Sequence, residues 1–96
     1  MELHEAADAV HDWPTFLDFA RQLIHDREDE VEKEKASPSQ PYDRGSNGWE
    51  NGTIETFLDA GCRWAESTRF GETQGLPFDN PWRKFAAFLY CGKIYE

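Results

Sequence analysis

Apolar positions along this chain recur at helical spacing, and polar connections separate the stripes. Leu3, Ala6, Ala7 and Val10 fall three and four residues apart and predict a short first helix over residues 2–11. Asp12 can accept a hydrogen bond from an orphan N–H of the next helix, in which Trp13, Phe16, Leu17, Ala20, Leu23 and Ile24 make one apolar stripe while Asp18, Arg21 and Gln22 turn outward. Beyond Ile24 the stripe positions are Arg27 and Val31, and HDREDEVEKEK is almost wholly charged. The last turns of this helix are therefore expected to project into solvent or fray.

Residues 36–48, ASPSQPYDRGSNG, hold two prolines, two glycines and three serines with no periodicity, which predicts a flexible loop. The third helix is predicted to start near Asn51, to show Ile54, Phe57, Leu58, Gly61, Trp64, Ala65 and Thr68 on one face, and to end near Phe70 and Gly71. A second loop, GETQGLPFD, leads to NPWRKFAAFLYCGKIYE. There Asn80 is a cap, Pro81 suits the first helical position and Gly92 is the expected stop. Between them Phe85 to Cys91 form an unbroken apolar run, so this last helix must be covered on several sides, by its own domain or by a partner.

No alternating pattern of useful length competes with these helices. The expected fold is all-α, one domain over residues 1–96, a bundle of three main helices plus a short N-terminal helix. Its core is expected to join Phe16, Leu17, Leu23, Phe57, Leu58, Trp64, Trp82, Phe85 and Leu89, with Trp13 also packed inside. Tyr95 and Glu96, past Gly92, are expected to fold back onto the bundle.

Charge changes the picture more than composition does. The chain carries a formal net charge of −9, and residues 1–34 hold eleven acids against Arg21, Arg27 and Lys33, so −8 of it is concentrated there. Such a field repels nucleic acid and anionic lipid and steers toward a basic protein. Asp26, Glu28, Asp29, Glu30, Glu32 and Glu34 are the candidate partner-binding acids, set against the alternative that the run is only a solvated helix end. A calcium loop is not formed, because the run lacks the central glycine. Trp49, at the end of the loop, is the candidate aromatic anchor or else a staple for the helix entry.

Other chemistry is sparse. His4, Asp8 and His11 lie at i, i+4 and i+7, but the rise between the two histidines is about 10 Å along a helix, so only a two-ligand site could form and no metal site is assigned. His25-Asp26 has neither a nucleophile nor an orienting third group. Cys62 and Cys91 sit among apolar helical neighbours and read as small buried hydrophobes. No phosphate loop, zinc pattern or Ser/His/Asp set occurs, so no catalytic residue, enzyme activity or cofactor is assigned. The N-terminus lacks the pattern of a signal peptide and no segment approaches the ~20 apolar residues of a membrane span, so a cytoplasmic location is expected and Asn51-Gly52-Thr53 is read as a helix start rather than a glycosylation site.

In Trp49, Asn51, Phe57, Leu58, Ala60 and Trp64, followed by Trp82, Phe85, Ala86, Leu89, Gly92, Tyr95 and Glu96, the chain resembles a family of small bacterial domains of unknown function, whose members look like WxNxxLxxFLxAxxxW and then WxxFAxxLxxxxxYE. Phe16, Phe19 and Leu23 form the weaker first part of the match. The resemblance implies a shared fold and brings no catalytic residue or cofactor. The longer Pro/Ser/Gly-rich segment before Trp49 departs from the family pattern. The reading that combines these features is a non-enzymatic acidic binding protein, an immunity- or antitoxin-like inhibitor of a basic effector. The alternative is an adaptor or regulatory interaction domain, homodimeric through its final helix.

Overall fold

Capping chemistry sets where each helix begins. In the computed structural model, which describes residues 1–40, 44–77 and 79–96, α1 spans Leu3–Asp8, α2 Trp13–Ala36, α3 Ile54–Thr68 and α4 Pro81–Ile94, with a single 3-10 turn at Glu72–Gln74. Asp12 caps α2 by accepting from the Thr15 N–H at 3.0 Å, and Asn80 caps α4 by accepting from the Arg83 N–H at 3.1 Å. The fold is all-helical, and no strand occurs among the described residues. Among those residues no helix is long and apolar enough to cross a membrane.

Three boundaries differ from expectation. The first helix stops at Asp8, because the chain must turn before the extended Asp12 cap, yet Val10 in that turn is 1% exposed. The third helix is capped by Thr53, which accepts from the Thr56 N–H at 3.1 Å. Asn51 serves the end of α4 instead: its side-chain amide donates to the carbonyls of Gly92 and Tyr95, both at 2.9 Å, which are orphan acceptors of a helix terminus. Gly92 is no stop. It lies inside α4 where α3 crosses closest, and a Cβ there would come within 2.7 Å of the Phe57 ring and 2.9 Å of the Phe57 carbonyl. Only glycine permits that approach.

The last helix is the axis of the domain. Phe16 stacks obliquely on Trp82 at 5.5 Å near the start of α4, and Asp26 meets Lys93 near its end, so α2 runs parallel to α4. The short α1 lies beside both, tied by Arg83 donating to Asp8 at 3.2 Å and by Asn80 donating to the Val10 carbonyl at 3.1 Å. On the other side α3 runs antiparallel, with Phe57 over Gly92 and the Trp64–Phe70–Phe88 ring series near its far end. Tyr95 folds back as expected, its hydroxyl 3.4 Å from Ser67 and its ring under Arg63.

The buried cluster is Ala6, Ala7, Val10, Phe19 and Ala86, with Leu3, Phe16, Trp82, Leu89 and Tyr90 packed on it. Phe16, Leu23, Trp64, Trp82 and Leu89 occupy the interior or its margin as predicted, and Phe57 is half-buried. Leu17, Leu58 and Phe85 do not: they are 38%, 47% and 47% exposed, and Trp13 is 60% exposed. The cause is a rotation of α2 relative to its apolar stripe. Its inward line is Phe19, Leu23, Asp26 and Glu30, at i, i+4, i+7 and i+11, so Trp13, Leu17, Ile24 and Val31 fall on the adjacent flank. Cys62 is also exposed, whereas burial pushes the Cys91 thiol up to about 11.

Phe19→Ala is expected to destabilise the domain by about 3–5 kcal/mol in chemical denaturation, since a fully enclosed ring is deleted, while Phe85→Ala should cost only about 1 kcal/mol. Equal losses at the two positions would contradict this division of the apolar residues.

Candidate functional site

The acidic second half of α2 is a scaffold for the connection that follows it. Asp26, Glu30 and Glu34 sit at i, i+4 and i+8 and share one face. Glu30 is 2% exposed: one carboxylate oxygen accepts from the backbone N–H groups of Asn47 and Trp49, both at 3.1 Å, and the other from Arg27 at 2.7 Å. Glu34 accepts from the Ser39 hydroxyl and N–H at 2.6 and 2.7 Å and from the Ser46 N–H at 2.8 Å. Asp29 lies beside them, bonded to the Asn47 side chain at 3.0 Å and to Lys33 at 2.9 Å. Asp29 is exposed as well, but Glu28 and Glu32 pair with the exposed His25 and Lys35 of the same helix rather than with the connection. The expected fraying of the helix end does not occur, because the connection is hydrogen-bonded to it. Of the predicted flexible segment 36–48, residues 41–43 lie outside the described residues.

The consequence for ionisation is clearest at Glu34. The Ser39 hydroxyl first, then the Ser39 and Ser46 N–H groups, favour its charged form and lower its carboxyl from the ordinary 4.5 to about 2. The Asn47 amide and Lys33 lower Asp29 in the same direction. Gly45 lies so near Glu30 that a Cβ there would fall inside the carboxylate, which is why the turn at 45–48 carries no side chain at that point.

Trp49 is held at the centre of this clasp. Its indole N–H donates to Asp26 at 2.8 Å, and the same oxygen accepts from Lys93 at 2.7 Å. Arg27 and Lys93 stand 5.4 and 5.7 Å from its ring, and Phe57 stacks at 6.0 Å. The ring is 8% exposed, so Trp49 is not a projecting anchor, and its burial follows from the pairing of its only donor with a half-buried carboxylate. Sequence reasoning placed the acids and Trp49 together but missed Asn47, Lys93 and Arg27. The signal for them was the i, i+4, i+8 acid spacing facing the donor-rich stretch RGSNGW.

Where Trp49 ends, an apolar groove begins. It encloses about 480 Å³ between α2 and α3, with Leu23, Trp49 and Phe57 in its lining and Ile24, Ile54 and Leu58 along its walls. Ile24 is 56% and Ile54 77% exposed. Both α2 and α3 pack on α4, yet no Cα of one comes within 8 Å of the other. Among the described residues the one cation in the lining, Arg27, is committed to Glu30 and to the Gly52 carbonyl at 3.2 Å. Glu28 is the acid in the lining and is exposed; outside it on α3, Glu55 is exposed and Asp59 pairs with Arg63 at 3.0 Å.

A second, polar cleft of about 590 Å³ opens between α1, α2 and α4, where His4, Gln22, His25 and Tyr90 surround the Asp26–Lys93 pair. Burial raises the Tyr90 phenol above its ordinary value. His11, predicted on the same helical face as His4 and Asp8, lies beyond the end of α1 and contacts the Ala9 carbonyl at 3.0 Å. Among the described residues no group of three or more His, Cys, Asp or Glu is placed to hold a metal ion.

Residues 12–96 match the model of a family described as a family of unknown function, DUF7660, in line with the resemblance carried by the two tryptophan-bounded motifs. No curated protein and no solved structure matches the chain.

Because Glu34 has a depressed folded-state pKa, its contribution to stability is present above about 4.5 and is lost as pH falls through about 2. The Ser39 and Ser46 amide resonances should accordingly titrate with a midpoint near 2, and Glu34→Gln should abolish that titration. A midpoint at the ordinary value of 4.5 would show that the carboxylate does not hold the connection.

Proposed function

We propose that this chain, which belongs to the DUF7660 family of unknown function, is a non-enzymatic binding module whose partner is a basic protein, and that it acts as an immunity- or antitoxin-like inhibitor by covering that partner. The observation that carries the reading is the open groove between α2 and α3, a mainly apolar surface with Glu28 in its lining on a chain of net charge −9. Apolar patches of this kind on small domains mark interaction sites, and the surrounding charge selects among partners and accelerates their encounter. The same charge disfavours nucleic acid. A cytoplasmic location belongs to this reading.

The acids contribute unequally. Asp26, Asp29, Glu30 and Glu34 are engaged in the fold, so their carboxylates add to the long-range field without being free to rearrange onto a partner. Glu28 and Glu32 are exposed and hold no part of the connection, which makes them the acids available for contact. Trp49 contributes from beneath, fixing the groove floor. The adaptor reading, with a homodimer through the last helix, draws less support: two copies of a −9 chain repel, and the exposed part of α4 is confined to the flank around Phe85.

The test is affinity capture from the source cell by the wild-type chain and by Ile24→Glu/Leu58→Glu. The wild type should retain a basic protein and suppress its activity, and the groove variant should lose it. In the same assay Glu28→Gln/Glu32→Gln should slow association several-fold at low salt with little change in dissociation, because exposed charges act mainly on the encounter. A partner that is acidic, or that both variants retain as the wild type does, contradicts the reading.

A further inference from the structure

The groove is one end of a longer unfilled position. An α-helix that is apolar around most of its circumference needs neighbours on all sides, and α4 has three: α1, α2 and α3. Between α2 and α3 the fourth side is open. On α2 Ile24 lines it, and Trp13 and Leu17, on the same helical line toward the start of α2, are exposed as well. On α3 the flanking residues are Ile54 and Leu58. On α4 it is Phe85, on the i, i+4, i+7 line with Leu89 and Gly92, where Gly92 lies under the groove-lining Phe57. From Trp13 to Ile24 this line runs about 17 Å, three turns of helix.

We infer that the fourth side of α4 is the seat of a single amphipathic, basic helix supplied by the partner protein, lying along α2 and α3 with its apolar residues against Ile24, Leu58 and Phe85 and a cation over Glu28. The inference rests on the binding-module reading and gives the chemical class of what is bound. Helical geometry follows from the wall: apolar anchors on α2 recur at helical spacing over three turns, and a partner matching them in register repeats at i, i+3/i+4 and i+7. Basic charge follows from the net −9 of the chain and from Glu28 in the lining, where Arg27, the one lining cation among the described residues, is already bonded twice. A second copy of this chain is the poorer occupant, because it would bring another −9 against the same acids.

Synthetic 18-residue probes test this directly. One places leucines at i, i+3, i+4 and i+7 spacing among lysines; a second has the same composition with alternating leucines; a third replaces every lysine by glutamate. The helical lysine probe should bind one to one, gain helicity, shift the Trp49 indole and the Ile24 and Leu58 methyl resonances, and lose at least tenfold in affinity to Leu58→Ser and to Leu17→Ser. Both positions are partly exposed, so thermal melting should show the variants folded. The glutamate probe should not bind, and the chain alone should sediment as a monomer. If the alternating lysine probe binds equally, with shifts spread over Glu28 and Glu32 and no effect of Leu58→Ser, the helix-in-groove inference falls while attraction to basic partners stands. If no lysine probe binds, both fall. Self-association that buries Leu58 and Phe85 would assign the slot to a second copy and overturn the inference.

Discussion

A buried carboxylate fixes the geometry on which the rest of this domain depends. Glu30 points inward from α2 and receives two backbone N–H groups and a guanidinium, so that the chain returning from the 36–48 segment is fastened to α2 at Asn47 and Trp49. A charge removed from water is tolerated only when its acceptor capacity is met in this way. The fastening sets the position of Trp49, and Trp49 in turn joins Asp26, Lys93 and Phe57, one group from each of the three longest helices. Beside the packing of both helices on α4, it is this fastening that links α3 to α2, since no Cα of one comes within 8 Å of the other.

From that constraint the open side of α4 follows. The segment 44–53 spans from α2 to α3 at one end, and it ties to α4 through the Glu50 N–H to the Lys93 carbonyl at 2.9 Å and through Asn51 on the last carbonyls of that helix. Arg44 also pairs with Glu50 along the segment. The two helices are thus braced apart, and the groove between them is a built feature with a rigid floor. A preformed floor lowers the ordering cost of binding, because the protein side has little conformational freedom left to lose.

Most of the architecture is legible in the periodicity. The Asp12 and Asn80 caps, the number of helices and the return of Tyr95 follow from local chemistry that needs no tertiary knowledge. Three features depend on distant partners and were not legible. The rotation of α2 escapes an apolar count because Asp26 and Glu30, two acids, belong to its inward line. Asn51 and Gly92 read as a cap and a stop because their neighbours in sequence allow it, while the α3–α4 contact gives them different work. The candidate site was half visible: the acids and Trp49 do come together, but most of the acids face the chain itself, and the groove that Trp49 supports is made of Leu58, Ile24 and Ile54, all of which lie on stripes that otherwise signal a core.

Denaturation of Glu30→Ala beside Glu28→Ala, followed by the Trp49 indole N–H resonance, decides whether the clasp has the importance given to it. Removing Glu30 leaves two backbone N–H groups and Arg27 without their acceptor and should cost about 3–5 kcal/mol, with the Trp49 resonance shifting toward that of a solvated indole before global unfolding. Glu28→Ala should change stability by less than about 0.5 kcal/mol and leave that resonance unmoved. If the two variants behave alike, the acidic run of α2 is a solvated helix end, and the Glu30 clasp does not organise the domain.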